Sequence, residues 1–354
     1  MITNIDENFG RLRRHLQDLR IEDDTILIFM TDNGTSGGWL DNTGEGYNAG
    51  MRGRKASYYD GGHRVPFIVR WPNGGVTGGR DVRELLTHMD LLPTFCELCD
   101  LDIPDHKPWD GQSFAPILLG EDRAMPEREI TLQFRQNTEP PKMWENGVMC
   151  RDWRLINGEE LYYMPADPGQ RNDVSEQYPD MVRRLRIAHE EFWAEIEPGF
   201  RQPCPIALGA DEENPTRLGA MDVLGDVAWN QGHIKAAMKS TGRWAVQVEK
   251  DGKYHFELQR WPREIGLAIN ATLPPEHEEV CPFGGAPDGL GVAIDPARAR
   301  VKLGAFEATA EVAPGAERVS FEANLNAGVT ELEAWFIDAD GEERGAYYVY
   351  VTRE

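Results

Sequence analysis

The chain has 354 residues, 40% hydrophobic and 27% charged, enough to bury the cores of about two soluble domains. Sixty acidic against 37 basic side chains leave a formal net charge of −23, a field that repels polyanions and disfavours nucleic acid and anionic membrane surfaces as partners. No apolar run approaches the ~20 residues of a membrane helix. The opening MITNIDENFGRLRRHL also lacks the apolar stretch of a signal peptide, so the chain as written reads as cytoplasmic.

Residues 4–19 carry Ile5, Phe9, Leu12, Leu16 and Leu19 at three- and four-residue steps, the pattern of an amphipathic helix. A strand follows over 25–31, then a polar, glycine-rich loop to about residue 62. A second strand spans 65–71, and a helix spans 84–99, where His88 and Asp90 shape its start. Cys96 and Cys99 have C-x-x-C spacing without a second pair, and read as plain thiols. Short strands near 129–135, 147–151 and 153–157 lead to the turn Asp167-Pro168-Gly169 and a helix over 179–196. The proline-rich, charged stretch after residue 200 has no periodicity and reads as a linker. Beyond 240, alternating segments such as RWAVQVEK, RVSFEANL and AYYVYVT predict an antiparallel β-sandwich. The expected organisation is an α/β core fragment over 1–125, a small α+β subdomain over 126–200, a linker over 201–239 and a sandwich over 240–354.

The stretch TILIFMTDNG runs an apolar strand straight into Asp32, Asn33 and Gly34. Asp-Asn-Gly favours a hairpin turn, but the sequence that follows is not a returning strand. In open α/β sheets ligands gather at the carboxyl ends of strands, and Asp and Asn oxygens are hard donors suited to calcium or magnesium. The loop next delivers NAGMRGRKASYYDGGHRVP, which clusters Arg52, Arg54, Lys55, His63 and Arg64 within an acidic chain. Such a run is ordinarily a solvated basic face. Ammonium and guanidinium groups also hold oxyanions, and a metal beside them suits phosphate- or sulfate-ester hydrolysis.

The run T-D-N-G followed by G-M-R-G-R-K-x-x-x-Y-D-G-G-H-R-V-P resembles the type I sulfatases of the alkaline-phosphatase-like superfamily. The resemblance continues through THMDLLPTFCEL, DGQSFAPILLG and LYYMPADPGQRNDVSEQYPDMVRRL, and covers roughly residues 1–200. It implies that Asp32 and Asn33 bind calcium and that Lys55 contacts the sulfate. From the basic run itself, Arg52 and Arg54 are candidate substrate contacts, and His63 is a catalytic candidate that reads as either loop-anchoring or substrate-contacting. Asp60 stands where glutamate is commoner. The implied substrate is a sulfated carbohydrate or aryl sulfate. The implied nucleophile is a formylglycine made within C/S-x-P-S/A-R, and no such stretch occurs in the sequence. The chain therefore reads as a fragment whose partner would be a missing N-terminal sulfatase half, in a parent expected to be periplasmic or secreted. Rival readings are a phosphomonoester or phosphonate hydrolase and a carbohydrate-binding remnant. AWNQGHIKAAMKSTGRWAVQVEKDGKYHFELQRWPRE resembles the β-domain that follows some bacterial sulfatases. Its Trp229, Trp244, Tyr254 and Trp261 could stack on sugars but suit a sandwich core. Asp338-Ala-Asp340-Gly341 hints at calcium but fits a hairpin turn.

Overall fold

The computed structural model describes residues 2–36, 47–102, 109–121, 123–135, 139–202, 204–228, 230–273 and 291–354. Trp229 and Cys281 lie outside them. The chain divides into two compact units, residues 1–199 and 200–354. No helix of the described residues is long and apolar enough to cross a membrane.

The first unit is mixed α/β. Helix α1 (Ile2–Asp18) precedes strand β1 (Leu27–Met30), which pairs antiparallel with β2 (Phe67–Arg70), Leu27 opposite Arg70. A two-stranded ribbon of four-residue strands is marginal by itself. Phe9 of α1 packs edge-on against Phe29, and Arg70 reaches Glu22 and Asp23 in the intervening turn. No residue of α1 is buried; Ile2 is 84% exposed, and Ile68 on β2 is 61% exposed. Beyond the short helix α2 (Asp60–His63), the helix expected over 84–99 forms as a 3₁₀ turn at His88–Asp90 leading into α3 (Leu91–Leu98), and α4 (Ala115–Leu119) follows. Asp90 and Thr87 close a capping box, and Arg128 donates to Asp90 Oδ1 at 2.7 Å. Burial alone would raise the Asp90 carboxyl; Arg128 and the amides of Gln112 and Thr87 hold it below the ordinary range.

Strands β3 (Glu129–Gln133), β4 (Asn146–Cys150), β5 (Trp153–Ile156) and β6 (Glu160–Tyr163) form an antiparallel meander in sequence order, followed by α5 (Pro179–Ile196). Side chains alternate across a strand, and here both faces are used. Val148, Leu155 and Leu161 pack with Leu185 of α5. Ile156 and Tyr162, one residue further along, pack with Tyr58 and Tyr59 of the glycine-rich loop. The small sheet is thus the floor on which that loop rests.

The second unit is a β-sandwich. One sheet runs β13 (Phe306–Glu311), β12 (Pro296–Leu303), β15 (Gly328–Asp338), β10 (Gly242–Val248), β7 (Ile206–Leu208), with β16 (Glu343–Gly345) and β9 (Leu224–Gly225) at its side. The other runs β14 (Val319–Leu325), β11 (Gly252–Gln259), β17 (Tyr348–Arg353), β8 (Thr216–Gly219). Trp244, Val246, Tyr254, Phe256, Val301 and Phe336 fill the space between them. Two features differ from the sequence expectation. Strands β7, β8 and β9 lie in the stretch read as linker, because their residues complete sheet ladders set by strands far along the chain. And β7 pairs with β10 in parallel, so the sandwich is not wholly antiparallel. Trp244, Tyr254 and Trp261 are buried, which removes their ring faces from any sugar.

Candidate functional site

The Asp-Asn-Gly turn, the basic loop and the short helix α2 (Asp60–His63) meet backbone on backbone. Gly34 N–H donates to Gly62 O at 3.0 Å, Gly61 N–H to Arg52 O at 2.8 Å, and Lys55 N–H to Thr35 O at 2.8 Å. A Cβ on Gly34 would overlap the carbonyl of Gly61; one on Gly61 would overlap those of Gly53 and Arg52; one on Gly62 would overlap that of Ser57. These glycines are required by close approach of main chains rather than by turn geometry. Ala56, with φ +68, turns the chain just after Lys55 in a conformation uncommon for a residue with a Cβ.

The Lys55 N–H bond to Thr35 O joins the backbone of the basic loop to the segment that follows Asp32 and Asn33. Arg54 and Lys55 are exposed and, among the described residues, their side chains have no hydrogen bond or ion pair. Asp32 is likewise exposed and without a side-chain partner among them. Asn33 Nδ2 donates to Gly34 O at 2.8 Å, which leaves its Oδ1 available as an acceptor. Two hard oxygens on one turn suit calcium in kind but not in number, since that ion takes six to eight. Asp32 belongs to no group of three His, Cys, Asp or Glu side chains with ligand atoms close together among the described residues.

Arg52 and His63 are engaged by the fold, unlike the exposed Arg54 and Lys55. The Arg52 guanidinium lies 3.9 Å over the Tyr59 ring and donates to Tyr162 Oη at 2.8 Å and to Gln170 O at 3.3 Å. Tyr59 and Tyr162 both donate to Glu160, and burial together with that carboxylate pushes the Tyr59 phenol up to about 12. Arg52 therefore clamps the loop to β6. The ring of His63 turns inward, with Nε2 3.3 Å from Tyr58 O and 3.8 Å from Asp60 Oδ1. Burial pushes this imidazole below its ordinary range against the pull of Asp60, so it stays neutral and anchors the loop.

Sequence reasoning passed over Arg154 and Gln170. Asp60 is wholly buried, with Oδ1 3.0 Å from Arg154 Nε and Oδ2 3.4 Å from Arg64 Nη1, while its backbone N–H donates to Gln170 Oε1 at 2.7 Å. The available signal was an arginine inside the otherwise apolar strand WRLI, since a buried arginine requires a partner.

In the second unit Asp338, Asp340 and Glu342 bring ligand atoms within 4.8 Å of one another. They sit on the hairpin between β15 and β16, closed by Gly341 N–H to Asp338 O at 3.0 Å. Arg344 holds Asp338 at 2.6 Å and Lys239 holds Glu342, so protein cations already engage two of the three carboxylates.

Two family models match the chain: Sulfatase over residues 1–101, and N-sulphoglucosamine sulphohydrolase, C-terminal, over residues 54–192. The chain is similar to N-acetylgalactosamine-6-O-sulfatase of Bacteroides thetaiotaomicron, 30% identical over 52% of this chain and 39% of that protein. It is also similar to canine N-acetylgalactosamine-6-sulfatase, 35% identical over 57% of this chain and 44% of that protein. A solved structure from work on glycosaminoglycan metabolism by Bacteroides thetaiotaomicron aligns at 26% identity and a TM-score of 0.43, covering 55% of this chain and 43% of that one. The chain spans about two-fifths of the length of these curated relatives. Through residues 1–192, it belongs to the sulfatase family.

Proposed function

We propose that the surface formed by Asp32, Asn33, Arg54 and Lys55 recognises the sulfate group of a sulfated carbohydrate, and that the parent activity is hydrolysis of that sulfate ester. The observation that carries this reading is the Lys55 N–H to Thr35 O bond, which ties an unpaired ammonium-bearing residue to the turn holding two unpaired hard oxygens. An unpartnered lysine in a chain of net charge −23 is a local reversal of field suited to an anionic group. The curated relatives above are named as sulfatases of N-acetylgalactosamine, which favours a sulfated amino sugar.

Calcium is the ion that the sulfatase resemblance implies at Asp32 and Asn33; two oxygen donors are too few to hold it tightly by themselves, and when bound it would offset the charge of the sulfate oxygens. Lys55 supplies a charge-assisted hydrogen bond to a further oxygen, and Arg54 adds positive field at the rim. The nucleophile implied by the sulfatase resemblance is a formylglycine. The 354 residues hold no C/S-x-P-S/A-R, and neither Cys204-Pro205-Ile206 nor Cys281-Pro282-Phe283 matches it. This chain by itself therefore binds the ester without turning it over.

The test is calorimetric titration of the full chain with N-acetylgalactosamine 6-sulfate, the 6-phosphate and the unmodified sugar, with calcium present. The sulfate ester should bind and the unmodified sugar should not. Lys55→Ala should weaken binding roughly tenfold to a hundredfold, the value of a charge-assisted hydrogen bond. Equal binding by wild type and Lys55→Ala would return Lys55 to a solvated face, and preference for the phosphate would point to phosphoester chemistry.

A further inference from the structure

We infer that Arg154 is the positioning residue of this site, setting Lys55 against Asp32 and Asn33 through the buried carboxylate of Asp60. The inference rests on the sulfate-site reading and adds to it the part of the chain that holds the site in register. Arg154 stands on β5, outside the loop it controls, and is itself buried. Its Nε engages Asp60 Oδ1 at 3.0 Å, while Nη1 donates to Arg151 O at 3.1 Å and Trp153 O at 2.9 Å. Those carbonyls fix the guanidinium to the strand, so the position of Asp60 follows from the sheet. Asp60 opens α2, and the next two residues are the glycines on which the site closes: Gly61 N–H binds Arg52 O, and Gly62 O accepts from Gly34. From Gly34 the chain runs back to Asn33 and Asp32, and from Arg52 it runs forward to Lys55. Gln170 repeats the attachment from the turn after β6, taking the Asp60 N–H at 2.7 Å.

The geometry explains why a buried ion pair sits here. Breaking such a pair by removing one partner is costly, whereas an apolar replacement of both can be neutral, so the pair is weak evidence for stability alone. Its distinctive effect is direction. A guanidinium held on three sides allows one placement of the carboxylate, and hence of the glycine-packed turn.

The experiment uses the full chain with Arg154→Met, Arg154→Lys and Gln170→Met. Hydrogen exchange is read over residues 31–36 and 52–64 and, as an internal reference, over β4 at 146–150. Arg154→Met should speed exchange about tenfold or more in the two loop segments while β4 stays within about threefold. Arg154→Lys should restore most of the protection. Gln170→Met should loosen the same segments by less, and it keeps the inference testable should Arg154→Met fold poorly. A second readout is the His63 imidazole by histidine-labelled NMR. The groups facing it are Asp60, Arg154, Arg64 and the Tyr58 carbonyl, so loss of the Arg154 charge should raise its titration midpoint. Uniform acceleration across the first unit, or none in the loop segments, would overturn the inference. Loosened loop segments in a protein that never binds the sulfate ester would retain Arg154 as the anchor and remove the Lys55 reading instead.

Discussion

In residues 200–354 both sheets send alternate side chains into one shared apolar core, from Val246 on β10 to Phe336 on β15. In residues 2–199 the segment that bears Lys55 is held by glycine backbones in mutual contact, one buried carboxylate and an arginine clamped between tyrosines. The first arrangement tolerates small shifts, because dispersion contacts are many and individually weak. The second does not, because each hydrogen bond has one donor and one acceptor. A sandwich can rely on bulk burial, whereas a loop that must aim an ammonium at an anion needs fixings with direction.

Point substitutions should expose that difference. The largest effect is expected in the sandwich: Phe256→Ala removes a wholly buried ring and should cost about 3–5 kcal/mol. Ile5→Ala on the exposed side of α1 should stay within about 0.5 kcal/mol. Urea unfolding of each variant measures both, and equal costs would erase the distinction between a packed unit and an open helix face. Asp60→Ala comes next, at about 3 kcal/mol, because it strands the buried guanidinium of Arg154. The same melts should show that loss in the transition of the first unit; a neutral result would mean the ion pair contributes nothing.

Gly62→Ala sharpens the comparison on a smaller scale. Its methyl group would meet the Ser57 and Arg54 carbonyls, which are main chain and cannot swing away. The cost should be about 1–3 kcal/mol, with the structural change confined to the Lys55 loop. The smallest effect is a pH dependence. Burial holds His63 and His189 below the ordinary imidazole range. A depressed imidazole means that the unfolded chain takes up protons first, from about pH 6.5 downward. Stability is therefore fully present above that pH and declines as pH falls toward the folded-state values. Thermal melts should follow that course, and a melting temperature flat between pH 7.5 and 5.5 would show that neither histidine is held neutral by the fold.

Much of the fold is written in local periodicity. The helix at 179–196 and the sandwich strands from 242 onward follow their 3.6- and 2-residue patterns because each buries one face. Strand β6 was not legible, since four residues carry too little alternation, and the pairing of β7 and β8 was not, because their partners β10 and β17 lie far along the chain. The site divides in the same way. Asp32, Asn33 and Lys55 stand in short contiguous motifs, so they could be named as candidates from the sequence. Arg52 shares the charge and neighbourhood of Arg54, yet its partners come from β6 and the turn at Gln170, more than a hundred residues on. Arg154 was invisible for the converse reason: its meaning depends on Asp60, 94 residues earlier.

The proposal to be tested is that Asp32, Asn33, Arg54 and Lys55 form a sulfate-recognising surface that binds the ester without turning it over. The most direct test mixes the full chain, calcium and an aryl sulfate, and follows the Lys55 and Gly34 amides and released phenol by NMR in one sample. Saturable shifts of both amides are expected, lost in Lys55→Ala, with no phenol above that control. Unmoved amides, or phenol released above the Lys55→Ala control, would contradict it.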